Sequence, residues 1–188
     1  MKFIERMSMK RIILATVVCV SVFCGCDKPQ KHQKQQSRIA AYCENFTCGE
    51  VQDLLDGTGE VDEPNVLTCS VNEIRRYEAE VQKAEQKMRS LCVRFVRGAD
   101  ALHCSAEERL VVEYVAAEYI RGAERRSKRA ASMVALVEFL AKNRANLNME
   151  RWDDWCEGKA PLFDNLTLQF EFEDMLESCG IDPIMLTP

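Results

Sequence analysis

The chain has 188 residues, ten cysteines, a formal net charge of −5, and hydrophobic side chains at 47% of its positions. That acidic balance excludes a general electrostatic attraction to nucleic acid or anionic lipid. The length is ample for one domain with its own core and too short for two comfortable ones.

Met1 and Met7 precede Met9, which gives the tidier start: Met9-Lys10-Arg11 leads into a short apolar run from Ile12 to Val22 and then Phe23-Cys24-Gly25-Cys26-Asp27. A charged start, a short apolar segment and a small residue before a cut form a secretory signal, and Ile12 to Cys26 is shorter than the roughly 20 residues a spanning helix needs. The segment resembles a bacterial lipoprotein signal peptide. Its lipobox match covers Phe23 to Cys26, with Phe23 where the family usually has leucine. The resemblance implies removal of residues 1–25, lipidation of Cys26, and a place in the cell envelope, on the periplasmic face of the inner or outer membrane or at the cell surface. In enteric-type sorting Asp27 favours retention at the inner membrane. A simple cleaved signal and an uncleaved anchor remain the alternatives. Removal of Lys2, Arg6, Lys10 and Arg11 against Glu5 takes away a net +3, so −5 becomes −8 in the mature part.

Residues 26–38 then read as a lipid-anchored cysteine and a Lys- and Gln-rich tether, which fully extended reaches about 40 Å. A single helical domain is expected over 39–188. Ile39, Ala40, Cys43 and Phe46 share a helical stripe. Thr47-Cys48-Gly49-Glu50 reads as a capping box that starts a second short helix on Val51, Leu54 and Leu55, ended by Gly57. Gly57 to Pro64 is a loop.

Ser70 and Glu73 form the next capping box, followed by Ile74, Tyr77, Val81, Ala84, Met88, Leu91 and Phe95 at alternating spacings of three and four. That is a heptad seam, expected to stop at Gly98. A third capping box, Ser105 with Glu108, opens a frame of Val112, Ala116, Tyr119, Ala123, Arg126, Ala130, Met133, Val137 and Leu140, with Arg126 the charged intruder. It reads either as one helix of roughly 60 Å or as two helices broken near Gly122 to Lys128. The short connection makes the two seams an antiparallel hairpin. Trp152 and Trp155 are expected in the core while Asp153 and Asp154 face water. Leu166, Leu168, Phe170 and Phe172 alternate like a strand, yet Leu168, Phe172, Met175, Leu176 and Cys179 fit a helix face stopped at Gly180; the helix is preferred. The fold class is therefore all-α: a helical bundle on a long antiparallel hairpin, its distal half covered by helices at 39–56 and 165–179.

With Cys26 acylated, seven cysteines remain, and in an exported protein they point to disulfides. Cys92 and Cys104 are each six residues from Gly98 and are expected to face each other, a bridge worth roughly 2–3 kcal/mol, with two buried free thiols as the alternative. Cys69 is expected with Cys43 or Cys48, and Cys156 with Cys179. One cysteine is left over, as a buried thiol or an intermolecular bridge. The absence of a C-x-x-C pair argues against structural zinc and thioredoxin-like redox chemistry, and no cofactor is expected. His103 beside Cys104 is poorly placed for a nucleophilic dyad, and no Walker, Rossmann or nucleophile-elbow pattern occurs.

Arg121, Arg125, Lys128 and Arg129 fall along one helical face, a candidate surface for an acidic partner or phospholipid headgroups; the alternative is a solvated face paired to nearby carboxylates. The expected role is non-enzymatic: a protein-interaction module of the bacterial envelope, serving as accessory, inhibitor or assembly factor. A helical carrier for a lipid or other apolar ligand is the alternative. Coiled-coil seams close either within one chain or between two, so a homo-oligomer stays open.

Overall fold

The computed structural model describes residues 38–57, 62–182 and 186. The expected signal segment, Cys26, and the expected tether up to residue 37 lie outside the described residues.

Two helices dominate. α3 (Val71–Asp100) begins at Ser70, whose hydroxyl accepts from the Glu73 amide while the Glu73 carboxylate accepts from the Ser70 amide at 2.7 Å. α4 (Ala106–Asn143) begins with the same reciprocal pair at Ser105 and Glu108. These boxes satisfy amides that a helix start would otherwise leave unpaired. α4 is one unbroken helix of 38 residues, about 57 Å long, so the break considered near Gly122 does not occur. α3 and α4 pack antiparallel along their length, closing the seams within one chain. Arg75 pairs with Glu138 at 2.6 Å, and Arg89 with Glu124 at 2.5 Å. Between the rungs α3 advances by fourteen residues and α4 steps back by fourteen, as antiparallel packing requires. Such exposed pairs are worth about 0–1 kcal/mol, so they fix register more than stability.

α3 does not stop at Gly98. It runs to Asp100, and the turn is residues 101–105. Gly98 serves packing instead: a Cβ there would overlap the hydroxyl of Tyr42, which donates to the Phe95 carbonyl at 2.7 Å. Tyr42 lies on α1 (residues 38–45), which passes through a π-helical turn, Phe46–Glu50, into α2 (Val51–Gly57). The capping box expected at Thr47 is not formed, because the Thr47 hydroxyl donates back to the Glu44 carbonyl. The wide turn, closed by the Val51 amide on the Phe46 carbonyl, brings two residues that an α-helix would set about 140° apart onto one buried face.

The core is in two parts. At the turn end Ile39, Cys43, Phe46 and Val51 pack against Met88, Leu91, Phe95, Val112 and Ala116; Phe46 stacks on Phe95 with ring centroids 3.8 Å apart. At the open end Ile74, Met133, Leu136, Val137 and Leu140 pack with Trp152, Leu162, Phe163, Phe172 and Leu176. Hence α1 and α2 cover the turn end while α6 (Leu166–Cys179) covers the open end, which corrects the expectation that both cover the distal half.

Between α4 and α6 the chain makes two short 3-10 turns and α5 (Trp152–Cys156). Both tryptophans join the open-end core, and Asp153 and Asp154 are exposed. The buried Gln169 pins this connection: its Oε1 accepts from the Leu162 and Phe163 amides at 2.8 and 3.1 Å. α6 is the preferred helix, not a strand. Asn165 caps its start, Phe172, Leu176 and Cys179 are buried, and Gly180 ends it with φ of 60°. Phe163, just before α6, meets Phe139, whereas Cys179 at its end neighbours Arg129. α6 therefore runs antiparallel to α4.

Candidate functional site

The face of α4 turned away from α3 carries Leu110, Tyr114, Arg121, Arg125 and Lys128, all exposed. At 100° per residue these five fall within about 60° of arc. Leu110 and Tyr114 are 64% and 46% exposed, unusual for large apolar groups one turn apart. Arg121 is drawn to Glu118 on its own helix. Arg125 and Lys128 make no ion pair among the described residues.

Arg129, expected in this stripe, stands apart. It is half-buried, and its guanidinium pairs with Glu63 at 2.7 Å beside Tyr77 and Cys179. It thereby ties the segment before α3 to α4. The intruder Arg126 is exposed, so the heptad frame is interrupted there by a cation that stays in water. Nearby, the Ser127 hydroxyl and then Arg89 hold the Glu85 carboxyl below its ordinary range.

A second exposed face lies on α6, where Leu166 and Phe170 are 60% and 62% exposed and Asp174 and Glu177 follow. Glu173, on the same side, is engaged: it accepts from the Trp155 indole at 3.1 Å and from Gln169 at 2.6 Å.

The seven cysteines are all thiols, and the expected pairings are not made. Because the hairpin turns at 101–105, Cys92 sits eight residues before the end of α3, roughly 12 Å along the helix, while Cys104 lies in the turn. Cys69 packs at the open end, and Cys43 at the turn end beside α1's other core residues. Cys48 is exposed on the π-helical turn. Cys156 and Cys179 share the open-end cluster without bridging. Burial pushes the thiols of Cys43, Cys92 and Cys179 up to about 11. Burial also raises Cys104, whose thiol donates to the Ala99 carbonyl at 3.3 Å. These shifts suppress the thiolate, the reverse of what an activated cysteine has.

His103 has a positive φ of 50° in the turn and helps line a hollow of about 160 Å³ with Ala99, Asp100, Cys104 and Arg109. Arg109 and Asp100 meet there at 2.6 Å. A charged hollow of that size suits water better than an apolar ligand, whose sites run to about 300–1,000 Å³. Among the described residues no group of three or more His, Cys, Asp or Glu side chains is arranged to hold a metal ion, and no helix is long and apolar enough to cross a membrane.

No protein-family model, curated protein or solved structure matches this chain. The site is therefore read from its own residues. Sequence patterning found Arg121, Arg125 and Lys128 but missed Leu110, Tyr114, Leu166 and Phe170. Their signal was present: each pair is spaced i, i+4 and falls outside the apolar frame that its helix buries.

Proposed function

We propose that this chain is a non-enzymatic protein-interaction module of the bacterial envelope, held by a lipid on Cys26 and a tether over 26–38, and acting as an accessory, inhibitor or assembly factor. The observation that carries the interaction role is the outer face of α4, where an exposed apolar pair shares a stripe with Arg125 and Lys128, which make no ion pair among the described residues. A contact surface combines these features: an apolar centre that gains from leaving water and a charged margin that selects its partner. Export and anchoring rest on the signal-peptide resemblance.

The test is a photo-crosslinking residue at position 114 of the full chain in its native envelope. A reproducible protein adduct, lost in Arg125→Glu/Lys128→Glu, is the expected result; no adduct at any exposure would refute the reading. Mass spectrometry of the mature amino terminus checks the anchor independently, with an acylated Cys26 expected.

A further inference from the structure

Four of the five large apolar side chains most exposed among the described residues form two i, i+4 pairs, Leu110 with Tyr114 and Leu166 with Phe170. Single exposed apolar residues are ordinary; two such pairs on separate helices are not. The pairs are followed by opposite charges at matched spacing. Arg121 stands eleven residues after Leu110, and Glu177 eleven after Leu166. Arg125 and Lys128 extend the basic face, and Asp174 joins the acidic one. Laid parallel with Leu166 at Leu110, α6 brings Phe170 to Tyr114 and Glu177 to Arg121.

Within one chain the two faces cannot meet, because α6 packs over the open end and Leu110 and Tyr114 lie by the turn. We propose that a second copy of this chain occupies the α4 stripe, in an antiparallel dimer in which each copy lays α6 along the turn end of the other. The proposal rests on the reading of the α4 face as an interaction surface and names its occupant. The topology supplies the required direction. α6 runs antiparallel to its own α4, so in a copy turned end for end it runs parallel to the facing α4. The contact is then made twice about a two-fold axis, which closes the assembly at two chains.

Light scattering on the full-length protein in mild detergent tests this. The wild type is expected at twice the monomer mass. Arg121→Glu/Arg125→Glu and Asp174→Lys/Glu177→Lys should each weaken dimerisation at least about tenfold, while an equimolar mixture of the two variants restores the dimer, since both contacts then pair opposite charges. That rescue also shows that neither variant has merely failed to fold. A monomeric wild type, dimers unaffected by either reversal, or a mixture that stays monomeric would overturn the proposal. A position-114 adduct formed only with a foreign protein would also overturn it while leaving the α4 surface standing.

Discussion

Gly98 and Tyr42 show how one missing methyl group sets the position of a helix. The phenol of Tyr42 reaches the α3 backbone at Phe95 only because residue 98 lacks a Cβ. Gly98→Ala brings a gain in helix propensity of roughly 1 kcal/mol against a steric cost of about 1–3 kcal/mol and the loss of a hydrogen bond worth about 1 kcal/mol. The steric side wins, so the variant is expected to unfold at lower urea. In a Tyr42→Phe background the colliding oxygen is gone, and Gly98→Ala should become neutral or stabilising. A double-mutant cycle in urea measures the reversal of sign. The buried thiols give a second expectation at this scale. Burial pushes the thiols of Cys43, Cys92 and Cys179 up from the ordinary 9.0 to about 11. The folded state thus keeps protons that the unfolded chain releases. Their contribution is fully present below pH 9 and is lost as pH rises toward 11. Unfolding midpoints of the reduced protein should fall across that window, and fall less steeply in Cys92→Val.

The helices differ in how local their causes are. Ser70 with Glu73 and Ser105 with Glu108 could be recognised in the sequence because every atom of a capping box lies within four residues. Ser105→Ala should cost about 1 kcal/mol in urea unfolding. The hairpin, the helical nature of 166–179 and the burial of the tryptophans were legible for the same reason, each being written in short-range periodicity. Gly98 was not. Whether a glycine ends a helix or admits a neighbour depends on Tyr42, 56 positions away. The disulfide expectation failed with it, because placing the turn a few residues early brought Cys92 and Cys104 opposite each other on paper. Thr47 failed similarly, since its hydroxyl had a backbone acceptor at Glu44 and the π-helical turn kept Phe46 and Val51 buried together. Gln169 is a long-range device no periodicity reveals. Gln169→Ala would leave two buried amides unpaired, a cost of about 1–3 kcal/mol for each group, and hydrogen exchange should show Leu162 and Phe163 losing protection before α4 does.

At the scale of the molecule, the two cores are joined along the length of α3 and α4. Their waist is thin and polar: Glu85, Arg89 and Glu124 pair across its surface, Arg126 is exposed, and the buried side chains facing inward there include the small Ala123 and Ala130. Each end is stabilised by its own aromatic cluster, Tyr42, Phe46 and Phe95 at the turn, and Phe139, Trp152, Trp155, Phe163 and Phe172 at the open end. Among the described residues α1 and α2 contribute to the turn-end cluster and not to the open-end one, so their release is expected to leave α6 in place. Phe46→Ala removes a buried ring worth about 3–5 kcal/mol from the turn end alone. The expected outcome is sub-global opening: amides of 38–57 exchange much faster, while those of α6 keep their protection. Phe172→Ala should give the mirror result. Uniform acceleration in both variants would mean that the hairpin couples its ends into a single cooperative unit. If the ends open separately, a partner that clamps α6 onto α4 stabilises the open end without ordering α1.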